Sequence, residues 1–545
     1  MKTKITQIFL MSLIFTSANN VVSGQAPSYS YAKSLYTYLK TRNLAYDNSG
    51  NSYIAGSRKA TFSPYDNSAT IGKFSSIGTQ LWLKEFYNGN YNAEYNFAEV
   101  HVDANKNVLL VGRYTKFMIF GNAVGDTLFE TGGSTNYTDL FIAKLDSNGN
   151  VLWKMNAGGN GDDSFTCSEM DSNGDIYILG QKSFNTFGTI VITPSIASSY
   201  LAKISSSGTV LWAVGLPQTI GTGDFAKIKS ITPGNIDLFY RGAYNPTYEI
   251  MYHSSCDGAN GNVLSLNDSI LFEKLGNNSS LLVTHLDVNS GGNIFIGGNF
   301  VNGIVAGTDT MQTSVQATDF FVGKMDSEMK PIKFVQGGNP LVADNFYGLD
   351  VNTAGEPVIL VDLYTKIIME NDSVTTTSLN YNLAVSQLDV NLKPKWFQTA
   401  FTSQGGLTGS DVQYDSNGDI VLAGEGKQFT CGTVLNSNPF SYQSSFIAKL
   451  GTSTGISEFG KTSNFILFPN PTSGKILINF NNHPTTPDGY SIELINFLGE
   501  KVYSAFPNEL SNSEFDFSLF PKGIYFICIK NQENSNLFSD KIILE

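Results

Sequence analysis

Cysteine and histidine are scarce in this chain, with four of each in 545 residues, and charged residues make up only 15%. Cys167, Cys256, Cys431 and Cys528 are too few and too scattered for a disulfide framework or a CxxC metal pair, and they read as buried thiols. No two of His101, His253, His285 and His483 share the i, i+4 spacing of a metal-binding helix. HExxH zinc chemistry is thereby excluded, and GxSxG and the P-loop are missing too. Ser30 and Lys33 fit S-x-x-K by letters alone, without companion motifs, and Thr472-Ser473-Gly474-Lys475 lacks the first glycine of a phosphate loop. No apolar run reaches the roughly 20 residues that span a bilayer, so no transmembrane segment is expected in the mature chain. Basic residues are outnumbered 34 to 47, for a net charge of −13. Such a surface repels phosphate backbones, which excludes nucleic acid and makes cations or basic groups the natural ligands.

What is abundant is β chemistry. The chain holds 52 glycines, 38 Phe and 26 Tyr, a balance suited to ordered strands and tight turns. Residues 1–24 carry Lys2 and Lys4, an apolar run from Ile8 to Phe15 and small residues ending at Gly24, the pattern of a secretory signal peptide. No cysteine follows the cut, so a lipoprotein anchor is not expected.

One pattern recurs: an acidic or polar turn, Gly-Asn or Gly-Asp, then alternating apolar residues ending in Gly. It stands at Asp47, Asp103, Asp171 and Asp415, and more loosely at Thr232, Asn289 and Asn352. The turn residues 50, 106, 174, 234, 292, 355 and 418 are 56 to 68 apart. A second pattern, Ala-Lys-Leu or similar, then a Ser/Asn-Gly turn and Leu-Trp, follows each anchor except the fourth, where Glu249 to Phe272 is degenerate. Gly supplies the positive φ of a tight reversal, and Asp or Asn closes it. Two hairpins per unit and seven units predict an all-β seven-bladed β-propeller over residues 25–457. The last copy lacks one outer strand, and residues 28–40, aromatic and polar in alternation, are placed to supply it. Trp82, Trp153, Trp212 and Trp396 recur at one repeat position, as do Lys73, Lys144, Lys203, Lys324 and Lys449. Repeated filling of one position is what inter-blade packing requires, and it outweighs a carbohydrate platform or catalytic bases. These strings resemble the SBBP-type seven-bladed propeller repeats of secreted bacterial proteins over roughly residues 28–455. The resemblance implies a fold and no function.

Residues 458–545 differ in character, and alternation in ILINF, SIELI and IYFICIK predicts a small antiparallel β-sandwich. The order of its motifs resembles the type A C-terminal sorting domain of the type IX secretion system of Bacteroidota. Phe468-Pro469-Asn470-Pro471 matches the opening motif, Gly499 to Val502, with Lys501, the central turn, Gly523 and Tyr525 the L-x-x-G-x-Y string, and Lys541 the terminal lysine. The resemblance implies the type IX machinery as partner and a secreted or outer-surface location.

Acids recur ahead of a phenylalanine just before the first strand of four units: Glu94, Asp163, Asp224 and Asp344. Two readings stand side by side: a carboxylate ring at the channel mouth holding a metal, with calcium the only cofactor in view, or local capping of the strand start. DSNGN and DSNGD turns resemble half a calcium loop but lack the downstream Glu of an EF-hand. The expectation is an exported surface or extracellular protein whose propeller is a non-enzymatic binding or adhesion module for a glycan or a surface protein. The alternatives are a secreted enzyme degrading polysaccharide or peptide, and a structural surface component.

Overall fold

The computed structural model describes residues 27–34, 39–59, 67–88, 98–121, 125–131, 137–181, 186–192, 199–217, 225–232, 234–242, 245, 247–276, 278–313, 318–339, 341–376, 378, 380–426, 428–431, 434–437, 444–451, 465–468, 472–480, 491–496, 500–505, 513–530 and 536–545. All regular structure among them is strand. The chain divides into two compact units, Met1–Thr452 and Ser453–Glu545.

In the first unit, seven antiparallel meanders follow one another. Their leading strands are Leu39–Tyr46, Ala98–Val102, Ser164–Met170, Ala226–Thr232, Ser280–Val288, Phe346–Val351 and Thr408–Tyr414. The first turn of each meander shows why the acidic turn pattern recurs. In the first, Asp47 Oδ1 accepts from the backbone N–H of Ser49 and Asn51 at 2.9 and 3.1 Å. Its Oδ2 accepts from Asn51 Nδ2 and the Tyr53 hydroxyl at 2.8 and 3.0 Å. Gly50 supplies φ +72° at the reversal. The fourth unit, degenerate in sequence, forms two long strands, Tyr248–Asp257 and Val263–Lys274, joined by a turn at Asp257 to Gly261.

The missing strand of the last meander comes from the N-terminal side. Tyr29–Ser34 pairs antiparallel with Ser444–Leu450 and completes a four-stranded sheet. Consecutive leading strands touch all the way along, and Thr408–Tyr414 also touches Leu39–Tyr46. Hydrophobic clusters follow the same order, each filled from two successive sheets. A seventh, of Tyr31, Leu44, Ile54, Phe74, Val421, Ala423 and Ile447, joins the last sheet to the first. Every fully buried Ile, Leu or Phe contributes roughly 1.5–3 kcal/mol, so each interface is a large share of the unit's stability.

The repeated lysines and tryptophans tie neighbouring sheets. Lys73 Nζ and Trp82 Nε1 both donate to the carbonyl of Ser147 in the next sheet, at 3.2 and 3.0 Å. Lys144 and Trp153 do the same to Ser206, at 3.2 and 3.1 Å. Four of the five lysines also meet an acid of their own sheet's first turn: Lys144 and Asp103 lie 2.9 Å apart, and Lys449 and Asp415 2.6 Å. The tryptophan ring covers a turn glycine of the following sheet, so that a Cβ on Gly208 would stand 2.8 Å from Trp153. Inter-sheet packing is therefore the role of this signature.

The long connections are not open loops. The segment after Val108–Thr115 forms the hairpin Phe117–Ile119/Thr127–Phe129, which adds to the outer strand Gln80–Asn88 of the preceding sheet. Gly303–Ala306/Asp309–Gln312, Lys366–Met369/Asp372–Thr375 and Gln428–Cys431/Val434–Ser437 repeat the device. It covers sheet edges that would otherwise invite intermolecular pairing.

The second unit has a three-stranded sheet (Phe465–Phe468, Lys475–Phe480, Ser513–Asp516) and a four-stranded one (Lys501–Ala505, Ser491–Asn496, Gly523–Lys530, Asn536–Leu544). Ile476 and Phe515 of the first share a core with Ile492, Leu494, Ile527, Ile529 and Ile542 of the second. All four cysteines are buried thiols.

Candidate functional site

The leading strands are apolar on the face turned to their own sheets and polar on alternate positions. Asn43, Glu99, Lys227, His285 and Asp411 each stand seven residues before the turn residue, and His101, Glu169, Lys229, Asp287, Asp350 and Gln413 stand five before it. With a period of two, both positions project on one side. Except for His101 and Glu169, they line a cavity of about 390 Å³ to which all seven leading strands contribute: Asn43, Glu99, Thr166, Lys227, His285, Asp350 and Asp411 are among its walls.

Most of these groups hold one leading strand to the next. Asn43 Oδ1 accepts from Val100 N at 3.0 Å, and Glu99 Oε2 from Ser168 N and Oγ at 2.7 and 2.6 Å. Glu169, Lys229 and Asp287 form an ion-pair chain across three sheets, at 3.3 and 3.0 Å. Asp287 Oδ2 accepts from Val351 N at 3.1 Å and Asp350 Oδ2 from Tyr414 N at 2.7 Å. Asp411 Oδ2 completes the circuit, accepting from Leu44 N at 3.0 Å. A carboxylate bound to a backbone N–H of another strand is a charge-assisted bond, roughly twice as strong as a neutral one.

Burial sets the protonation states. Asp411 is pushed up to about 6 by desolvation, against which its bonds from Leu44 and Val412 work. Desolvation, with the nearby Asp287 charge, raises Asp350 well above the ordinary carboxyl range. Burial and the Lys227 charge depress His285 to about 3, so the ring is neutral at pH 7. Burial lowers Lys229, but Asp287 and Glu169 outweigh it and the ammonium is held charged.

The acids expected at the mouth fall elsewhere or outside the described residues. Asp163 and Asp344 are fully buried and share one local arrangement. The backbone N–H of each donates to the first residue of the third strand in the preceding sheet, Thr138 and Thr318, both at 2.8 Å. The carboxylate of each accepts from a nearby backbone N–H, Gly159 for Asp163 and Asn339 for Asp344. Neither lines the cavity of the leading strands. Glu94, Asp224 and residues 1–24 lie outside the described residues. Among the described residues no cluster of three metal-ligating side chains occurs. Asp344 has Asp319 and Asp362 as charged neighbours, and burial lifts the three to about 7, 6 and 6.

Of the sorting residues, Phe468 ends its strand, Lys501 begins one and lies 3.1 Å from Glu493, and Gly523 begins another. Tyr525 is buried and donates to the Pro521 carbonyl at 2.8 Å, while Lys541 lies opposite Phe526. Pro469, Asn470, Pro471 and Gly499 lie outside the described residues.

The cavity residues were missed in the sequence, although a signal existed. Charges at a fixed distance from the turn residue interrupt strands that are otherwise apolar, as in AEVHV, AKIKS and THLDV.

Residues 466–545 match the secretion system C-terminal sorting domain. No curated protein sequence matches the chain. Among solved structures, a protein of unknown function from Bacteroides caccae is 13% identical with a TM-score of 0.28, over 55% of this chain and 82% of that one. A member of the DUF4221 family from Bacteroides vulgatus is 10% identical with a TM-score of 0.29, over 63% and 93%. A mutant puromycin hydrolase complexed with PGG is 10% identical with a TM-score of 0.39, over 76% and 58%. These likenesses carry no functional argument. The sorting domain, a type IX module, directs the chain to secretion and attachment at the outer cell surface.

Proposed function

We propose that the first unit is a seven-bladed β-propeller and that the exported protein uses it as a non-enzymatic module binding glycan outside the cell. The closed sequence of leading-strand contacts and the seven inter-sheet clusters support the ring. The observation that carries the binding reading is the cavity to which all seven leading strands contribute polar side chains. Its volume of about 390 Å³ suits a sugar residue at the end of a chain, within the roughly 300–1,000 Å³ usual for ligand pockets. Carboxylates fixed by one backbone bond keep further lone pairs for sugar hydroxyls, and Phe165 and Leu286 add apolar surface for a ring face. The carboxylates hold strand to strand, which favours binding over hydrolysis.

Filling the cavity tests this. Ser410→Trp, at a half-buried wall position, should abolish retention on a glycan array while the melting temperature stays within a few degrees. Unchanged retention would remove the cavity from the function.

A further inference from the structure

We infer that the cavity selects an acidic sugar, a uronate, through Lys227. This rests on the binding reading above and specifies its ligand class.

Lys227 lies on the fourth leading strand, half-buried in the cavity wall. Every other charge in the wall has an interaction within the molecule. Lys229 pairs with Glu169 and Asp287. Glu99, Asp287, Asp350 and Asp411 each accept from a backbone N–H of a neighbouring strand. Arg113 also has an interaction of its own. Lys227 alone makes no hydrogen bond or ion pair among the described residues. This half-buried ammonium senses the Asp411 charge but forms no ion pair with it, so its donors stay available to an anionic ligand. His285 beside it is neutral at pH 7 and supplies no competing cation. The uncommitted charge of the cavity is therefore one positive centre, although acids outnumber bases in its wall.

The surroundings of Lys227 define the rest of the ligand. Thr166, Ser410 and Asn43 bring uncharged polar groups, Asp411 and Glu99 bring acceptors with spare lone pairs, and Phe165 brings a ring. One carboxylate, several hydroxyls and an apolar C–H face describe a uronate. A neutral hexose would leave the ammonium unpaired. A cationic amino sugar would meet it as a like charge.

The test uses the mature full chain and three probes of one ring size: D-galacturonate, D-galactose and D-galactosamine, titrated by calorimetry and by saturation-transfer NMR. Galacturonate should bind at least tenfold more tightly than galactose, weaken as salt is raised, and exclude galactosamine. Lys227→Met, close in length and uncharged, should remove the tenfold preference without lowering the melting temperature, and Lys227→Arg should keep it. Equal binding of galactose and galacturonate, preference for galactosamine, or an undiminished preference in Lys227→Met each overturns the inference while leaving a sugar-binding cavity. Binding of none of the three overturns the inference. If the glycan array is also blank, the binding reading falls with it.

Discussion

Tyr31 stands opposite Lys449 across the strand pair that completes the last sheet, in the register that places Trp82 opposite Lys73, Trp153 opposite Lys144 and Trp212 opposite Lys203. Its ring occupies the space where a Cβ on Gly78 of the first sheet would sit, 2.6 Å away, as Trp153 does over Gly208. A tyrosine 418 positions upstream of its register partner thus performs the task of the repeat tryptophan. Tyr31→Ala should cost roughly 3 kcal/mol, in line with truncation of a buried aromatic. Tyr31→Trp should be far milder. Urea unfolding of both variants checks this, and equal losses would mean that the register has no packing consequence.

Lys106 occupies the turn position that glycine fills in most other repeats, with φ at +65°. A side chain in that region is strained, and the bond from its Nζ to Ser49 Oγ is exposed and weak. Lys106→Gly should stabilise the chain by about 0.5–1 kcal/mol. Gly208→Ala, at φ +88° and against Trp153, should destabilise it by more than that. Thermal melts of the pair decide the matter by opposite signs.

Asp344, Asp319 and Asp362 give the stability a pH dependence of known sign. Burial raises their folded pKa values to about 7, 6 and 6, above the roughly 3.9 of an unfolded aspartate. Between those limits the folded chain binds more protons than the unfolded one, so stability falls as pH rises. The contribution is fully present below about pH 4 and is lost as pH climbs through 6 to 7. The melting temperature should therefore be higher at pH 5.5 than at pH 8, and Asp344→Asn should flatten the difference by roughly 1–3 kcal/mol. A melting temperature that rises between pH 5.5 and 8 would contradict this.

Much of this architecture was legible because the repeat writes its turns in residues with one physical use. Asp47 and Gly50 close a reversal, and Lys73 and Trp82 mark the next sheet's turn. The tryptophan position read correctly as packing, and the N-terminal strand was found from its alternation. Three features were harder to read. The fourth unit lost its signature because Ser255, opposite Asp237, stands where five of the other units carry lysine. The connection between Gly112 and Phe141 carries no repeat signature, yet the hairpin Phe117–Ile119/Thr127–Phe129 within it adds to the preceding sheet. The cavity wall was hard to read because its polar residues stand singly in otherwise apolar strands far apart in the sequence, and only the contacts between leading strands bring them together.

Removing residues 458–545 should leave the chain in the periplasm, cut after the signal peptide expected at residues 1–24, since the sorting match is confined to 466–545. Fractionation and N-terminal sequencing provide the check. Normal surface levels of the truncated chain would place the address elsewhere.

On the function proposed above, seven sheets close around one cavity and bind their ligand there. Amide hydrogen exchange of the mature protein, with and without saturating tri-galacturonate, tests it most directly. The account predicts added protection in peptides from all seven leading strands, from Leu39–Tyr46 round to Thr408–Tyr414. Protection confined to the outer hairpins, with the leading strands unchanged, would contradict it.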